Sequence, residues 1–335
     1  MKLTKQIARS IVFPTVVGIG MERLLPKLSN KHLLNIYYHG VVKQDSSFFN
    51  PRHITIEQFE QQIKYFSKYF DIISLEDAFE VKKGKLVLNK PTITISFDDG
   101  YKNNISNALP ILEKYNAKAT FFISGVCTIN NPNTLLWADI IDFVKFINKD
   151  EEIIVEGTKF VNYYETKSKL SIYDFMKNQS KSNRDQLLAG FIKLFNIDER
   201  IYEIDHDIWQ MMNSDDIIQA SQNKLISIES HGFNHYNLGQ IDFDDAITDI
   251  RKSKEELDKL VSKPISMICF PDGSYSNDVI QEIKSIGFDK NVACDYLNQE
   301  DISNPTIINR YGISNTTTFS SNIFFVNKSF INKGI

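Results

Sequence analysis

The sequence predicts an α/β fold built on a parallel sheet or barrel. Three observations carry this reading. Short apolar segments recur along the chain, helical periodicities fill most of the gaps between them, and the apolar segments end in polar clusters. With 335 residues, 42% of them hydrophobic and 24% charged, the chain can bury a large core and has the composition of a globular protein.

Strands are expected at HLLNIYYH (32–39), PTITISFDD (91–99), KATFFIS (118–124), KLISIESH (224–231), PISMICFP (264–271) and KNVACD (290–295), with TIINRYGI (306–313) adding another. Between the first two, Phe59, Ile63, Phe66 and Phe70 fall at i, i+4, i+7 and i+11, one face of a helix. Thr55 is placed to cap it, with Gln58 three residues on. SNALPILEKY, FDDAITDIRKSKEELDKLV and SNDVIQEIKSIGF have similar helical patterns, and Gly287 closes the last of them. The alternation lapses at about 135–209. There WADIIDFVKFI, SIYDFMKN and NRDQLLAGFIKLF look helical, and EEIIVEGTKFVNYYE looks like a hairpin turning near Glu156 and Gly157. This stretch is expected to be an insertion on one side of the barrel, so that 31–335 form one domain.

Residues 1–30 are a separate basic and apolar segment. MKLTKQIARS is basic and IVFPTVVGIGM is an apolar run. Together they resemble the first two parts of a secretory signal, but Pro14 interrupts the run and no small-residue cleavage pattern follows. The run is too short to span a bilayer as a helix. A membrane-surface segment and a helix packed on the domain fit as well.

A net charge of −4 and the absence of a basic, aromatic-interleaved stripe argue against a nucleic-acid partner. The three cysteines, Cys127, Cys269 and Cys294, are far apart and form no CxxC pair, which excludes a disulfide framework or zinc knuckle as the organising element.

The chemistry gathers where strands end. These ends carry His39, the doublet Asp98–Asp99, His231 with His235 four residues on, and Asp272 after Pro271. In parallel barrels the loops at the carboxyl ends of strands share one face, and sites form there. Asp-Gly alone is an ordinary turn signal; two histidines and an acidic doublet on one face are more than independent turns require. HGFNH has H-x-x-x-H spacing, which on one helical turn lets both imidazoles reach one metal. One added carboxylate completes a two-His, one-Asp facial set with open positions. A second carboxylate beside it is then free to act as general base.

SFDDG, SHGFNH and CFPDGSY, in that order, resemble the first three motifs of the polysaccharide deacetylase family (carbohydrate esterase family 4, the NodB-homology domain). NIYYHGV followed by HITIEQFEQQIKYFSKYFDIISLEDAF resembles the opening segment of its bacterial exopolysaccharide-type members. The resemblance covers roughly 32–135 and 209–319. It implies a distorted (β/α)7-type barrel, here with an inserted mainly helical segment, and metal-dependent removal of N-acetyl or O-acetyl groups from a carbohydrate. By the same resemblance Asp98 is the catalytic base, Asp99, His231 and His235 are the ligands of a divalent metal, Zn²⁺ in this reading, and the backbone N–H of Asp272 is the oxyanion donor. His39 matches the histidine that serves as general acid in circularly permuted members. A buried structural histidine is the alternative reading there. Two departures stand out. Cys269 occupies the place of an arginine that contacts the base, so Asp98 is expected to lack that cation. Gly232 replaces the usual hydroxyl residue after the first histidine, so a supporting hydrogen bond is expected to be missing.

The expected partner is an acetylated polysaccharide or oligosaccharide, with peripheral membrane association through the N-terminus as an open possibility. The expected location is the bacterial cell envelope, whether exported or membrane-associated. The alternatives are a non-catalytic carbohydrate-binding homologue, which would be expected to have lost Asp98 or a ligand, and a metal-dependent phosphoester hydrolase, which usually wants a second metal site. His32, His53 and His206 read as structural or solvated. Trp137 and Trp209 read as core or hinge residues, with a sugar-stacking role as the alternative. Tyr101 and Tyr275 either flank the groove or pack beside it.

Overall fold

The computed structural model describes residues 8–313 and 317–335. Every expected strand forms: β1 (Leu33–Tyr38), β2 (Thr92–Phe97), β3 (Ala119–Ile123), β4 (Ile226–Ser230), β5 (Met267–Cys269) and β6 (Lys290–Ala293). The last expected strand is split into β7 (Ile307–Asn309) and β8 (Tyr311–Gly312). The path through the sheet is β7-β6-β5-β4-β3-β2-β1-β8, with all pairings parallel. Because β7 pairs with β6 and β8 pairs with β1, one stretch of chain bridges the two sheet edges and nearly closes a barrel. The strand positions number seven when that split strand is counted once, in agreement with the distorted (β/α)7-type barrel expected from sequence. The residue at the split is Arg310.

Side chains alternate across the barrel wall, as period-2 strands require. Outward-facing Leu34, Ile36, Ile93, Ile95 and Phe97 pack with Phe59, Ile63 and Phe66 of α1 (Ile56–Tyr69), whose N-terminus is capped by Thr55. Inward-facing Leu33, Phe122, Met267, Cys269, Val292 and Ile308 share a buried cluster with Leu75, Ala78 and Phe79 of α2 (Leu75–Lys82), which fills the amino-terminal end of the barrel. Above that plug the interior turns polar. Thr94 donates to Asn35 at 2.8 Å, Asn35 donates to the Asn309 carbonyl at 3.0 Å, and Ser96 donates to the Ile36 carbonyl at 3.1 Å. These partners satisfy buried groups that would otherwise each cost about 1–3 kcal/mol.

The expected insertion forms its own layer. It contains α3 (Trp137–Ile147), a hairpin of Glu152–Val155 with Thr158–Val161, α4 (Ile172–Lys177) and α5 (Lys181–Phe195). The hairpin turns at Glu156 and Gly157, both at positive φ, as a two-residue type I′ turn demands. Ile141, Phe143, Phe160, Met176 and Phe191 pack there in a cluster separate from the barrel's. Phe49 and Val42, from the loop after β1, join that cluster and seat the insertion on the barrel's carboxyl-terminal side. Among the described residues, three helices of eight residues or more are not anticipated by the sequence reading: α2, capped by a Ser74–Asp77 box, Ser214–Ser221, and the carboxyl-terminal helix Phe319–Asn332.

Candidate active site

The motif residues converge at the carboxyl ends of the strands, on a cavity of about 400 Å³. His39, Asp98, Asp99, His231, His235 and Asp272 all line it. The turns that deliver them run through the left-handed region: Asp99 (φ 79) before Gly100, Gly232 and His235 (φ 71 and 54), and Asp272 (φ 54) before Gly273. Such conformations cost on the order of 1–3 kcal/mol for non-glycine residues and cluster at functional sites.

His231 and His235 do not lie on a helical turn, contrary to the reading of the H-x-x-x-H spacing. They sit on a loop after β4 that bends at the left-handed Gly232. Asp249 holds this loop, accepting from Phe233 N at 2.7 Å, Asn234 N at 3.1 Å and Asn234 Nδ2 at 2.7 Å. A Cβ at position 232 would stand 3.1 Å from Asp249 Oδ2 on a positive-φ backbone. The glycine therefore suits this loop, and the backbone grip of Asp249 is the support that the loop uses.

Asp99 Oδ1 lies 3.3 Å from His231 Nε2 and 3.1 Å from His235 Nε2. It is buried and accepts no hydrogen bond of proper geometry. His231 Nδ1 is 2.7 Å from the Cys269 carbonyl oxygen, which only accepts, so Nδ1 carries a proton and Nε2 is left as the nitrogen that faces Asp99. Burial opposes ionisation of Asp99, but the two imidazoles outweigh it and hold the carboxyl well below the usual carboxylate range. Two imidazole nitrogens and an anionic oxygen within 4.8 Å of one another, around a buried oxygen without a hydrogen bond, fit a divalent cation.

Asp98 has a substitute partner that the sequence reading left open. Cys269 does occupy the arginine position, yet Asp98 has a cationic partner. Arg310, at the split between β7 and β8, points into the barrel and donates from Nη1 to Asp98 Oδ1 at 2.7 Å and from Nη2 to Oδ2 at 2.8 Å. It also donates to Ser96 Oγ at 2.9 Å, and its Nη2 lies 2.8 Å from Cys269 Sγ. The small cysteine leaves the room that this guanidinium occupies. Burial would raise the Asp98 pKa; the bidentate guanidinium overcomes that and keeps it below its ordinary value. Arg310 is the main residue that sequence reasoning misses here. A second candidate cluster, Asp98 with His231 and Cys269, overlaps the first. A metal there would have to displace Arg310, so the two-metal arrangement of a phosphoester hydrolase is not supported.

His39 follows β1 at half burial, with its ring 5.6 Å from that of Tyr37. Burial pushes its imidazole below the ordinary histidine value, against the pull of Asp99 and Asp98. At the rim, the Asp272 carboxylate pairs with Lys177 of α4 at 2.7 Å. Its backbone N–H has no protein acceptor among the described residues.

The insertion supplies the remaining wall. Trp137, read as a core or hinge residue, lines the cavity, and its indole donates to His235 Nδ1 at 3.2 Å. Arg52, before β2, pairs with Asp139 at 2.7 Å and Asp142 at 2.8 Å on α3, and Tyr101 donates to Asp139 at 2.8 Å. Tyr101 thus joins the wall. Tyr275 packs away from the cavity, donating to Asp301 at 2.6 Å, and Trp209 is a core residue bonded to the Ile204 carbonyl at 3.2 Å. His53 is buried on the Ile208 carbonyl at 2.7 Å, as a structural residue should be.

The sequence pattern of the family described as polysaccharide deacetylase matches residues 85–153 and 191–290, together half of the chain. The gap between the two matches lies inside the expected insertion. A curated relative, the Bacillus subtilis (strain 168) protein YxkH, named as a polysaccharide deacetylase, is 30% identical over 92 residues, which span 27% of this chain and 31% of that protein. Among solved structures, IcaB from Ammonifex degensii superposes with a TM-score of 0.57 at 12% identity, covering 90% of this chain and 98% of that one. The de-N-acetylase from Aggregatibacter actinomycetemcomitans gives 0.56 at 16% identity, covering 88% and 99%. At such identities the superpositions establish the shared fold, and the pattern match establishes the lineage: this chain belongs to the polysaccharide deacetylase family.

Proposed function

We propose that the protein is a metal-dependent deacetylase that hydrolyses the N-acetyl groups of a cell-envelope polysaccharide or oligosaccharide and releases acetate. The observation that carries this reading is the pairing of two adjacent carboxylates in different environments. Asp98 is gripped by Arg310, and Asp99 faces two imidazole nitrogens. One carboxylate is thereby kept ionised and out of the ligand set, as a general base requires, while the other belongs to the set.

Asp99, His231 and His235 would hold the cation, Zn²⁺ in our reading, which when bound supplies a Lewis acid and lowers the pKa of water toward about 7. Asp98 accepts a proton from the water that attacks the acetyl carbon. The unpaired backbone N–H of Asp272 stabilises the negative charge that develops on the acetyl oxygen, where a preorganised donor is worth about 3–4 kcal/mol. His39, half-buried at the cavity wall, delivers a proton to the leaving nitrogen, which an amide needs because its anion leaves poorly. Trp137, Tyr173 and Lys177 line the cavity. They give it an aromatic and polar wall suited to a sugar ring.

The test is a substrate panel. Purified protein is offered N-acetylated oligosaccharides, O-acetylated sugars and a simple phosphoester, and acetate and phosphate are measured. Acetate release from the N-acetylated members alone is the expected result. Phosphate release, or turnover of no acetylated sugar, would contradict the proposal.

A further inference from the structure

The amino-terminal segment presents an apolar and basic surface that the deacetylase chemistry does not use. Between residues 11 and 28, six large apolar side chains are exposed: Ile11 60%, Val12 45%, Ile19 64%, Met21 53%, Leu24 53% and Leu28 75%. The other face of the segment is anchored. Phe13 stacks on Phe324 at 4.6 Å and meets Phe325 edge-on at 5.2 Å, both on the carboxyl-terminal helix, and Glu22 is buried against Tyr65 at 2.7 Å. Exposure is thus a property of a packed element. The ionisable groups that the segment leaves at the surface are all basic: Arg9, Arg23, Lys27 and then Lys31. Its one acidic residue, Glu22, is 1% exposed. Beside them a cavity of about 410 Å³ is lined by Arg23, Leu24, Pro26, Lys27, Tyr69 and Phe70.

We propose that this face docks on an anionic lipid surface. Apolar side chains enter the interfacial region while surrounding lysines and arginines meet lipid phosphates, the combination that gives reversible interfacial binding. Charge selects lipid over a second copy of the chain, because two such basic faces repel. Among the described residues no helix is long and apolar enough to cross a membrane. The docking also has a direction. Pro91, which lines the same cavity, lies at the start of β2, whereas the catalytic residues follow the ends of the strands. The docking face and the active-site mouth are therefore on opposite ends of the barrel. A docked molecule turns its active site away from the lipid, toward glycan held above the surface.

The experiment is co-sedimentation of the full chain with vesicles of phosphatidylcholine alone and of phosphatidylcholine mixed with phosphatidylglycerol. Binding is expected to the anionic vesicles and to weaken with salt. Ile19→Ser with Leu28→Ser should cut the partition coefficient roughly tenfold or more. Arg9→Glu with Lys27→Glu should cut it by at least about tenfold, since each basic residue near the surface contributes roughly fivefold. Both double variants should release acetate from a soluble oligosaccharide as the parent does, which separates failure here from failure of the deacetylase assignment. No binding to anionic vesicles, or binding by both variants as tight as the parent's, would overturn the proposal. So would a concentration-dependent dimer that the Ile19/Leu28 variant abolishes, which would assign the face to a second copy.

Discussion

Replacing Arg310 by methionine removes the cation that holds Asp98 ionised while keeping a side chain of similar length. Asp98 is 3% exposed and takes both of its charge-assisted hydrogen bonds from this guanidinium. Left buried and charged without its partner, the carboxylate would cost roughly 3–5 kcal/mol. It escapes that cost by taking up a proton. Buried carboxylates without compensation shift upward by up to about 3–5 units, to a pKa of roughly 7–9. At pH 7 the ionised fraction then falls to between about one half and about one hundredth, so the rate should drop roughly 2- to 100-fold. The loss should reverse as pH rises, because the base is recovered by deprotonation. Stability has the matching sign. The parent's depressed pKa favours the fold above the carboxylate's unfolded pKa, and that contribution is lost only on acidification through the folded pKa. The variant, with a raised pKa, should lose stability as pH climbs from about 5 toward 9. The assays are kcat/KM against pH and denaturant unfolding at pH values on either side of neutrality. Arg310→Met with a parental rate at pH 7 and an unmoved acid limb would refute the reasoning.

Asp98→Asn should fold, keep its metal content, and lose at least about a hundredfold in rate, the lower range for general base catalysis; a fully active variant would remove Asp98 from that role. Glu229, buried on the backbone N–H groups of Ser266 and Met267, is pushed up to about 7 by burial, against those two hydrogen bonds. Its protonated form is thus favoured in the fold, so stability should fall as pH rises through that range. Glu229→Gln should be more stable than the parent at pH 8 by on the order of 2–3 kcal/mol and little different at pH 4, read by chemical denaturation. Trp137 holds the Nδ1 lone pair of His235, which keeps that ring's proton on Nε2, the nitrogen facing Asp99. Metal binding at Nε2 requires that proton to leave and the indole contact to change, so adding Zn²⁺ should alter tryptophan emission. The change should vanish in Trp137→Phe, since Trp209 is buried away from the cavity; unaltered emission in a protein that has bound metal would contradict this account.

Much of the barrel was legible because its signals are local. Alternating apolar residues located β1 to β8 but not the two-residue strands Asp71–Ile72, Val41–Val42 and Ile54–Thr55, and the polar ends located His39, Asp98, Asp99, His231, His235 and Asp272. What the sequence left out is nonlocal. Arg310 meets Asp98 across more than two hundred residues, and only closure of the barrel brings them together. A signal did exist: in TIINRYGI the arginine shares strand parity with Ile308, so it must face the interior, and a fully buried arginine needs a carboxylate. Trp137 was weighed as a sugar-stacking residue only as the alternative to a core or hinge role, and Arg52 and Lys177 were not singled out, because the placement of the insertion against the loop after β1 depends on packing around Phe49 and Val42 rather than on any motif. The H-x-x-x-H spacing misled on local structure because Gly232 and His235 adopt left-handed conformations that no helix contains, yet the two imidazoles still meet.

The central claim is that one cation, held by Asp99, His231 and His235, is needed for deacetylation. Its most direct test is acetate release by chelator-treated protein as Zn²⁺ is added back in measured equivalents. Activity should be absent at the start and rise in proportion to added metal until one equivalent per chain is bound. His231→Ala should show no such rise. Full acetate release by protein shown to be free of metal would contradict the account.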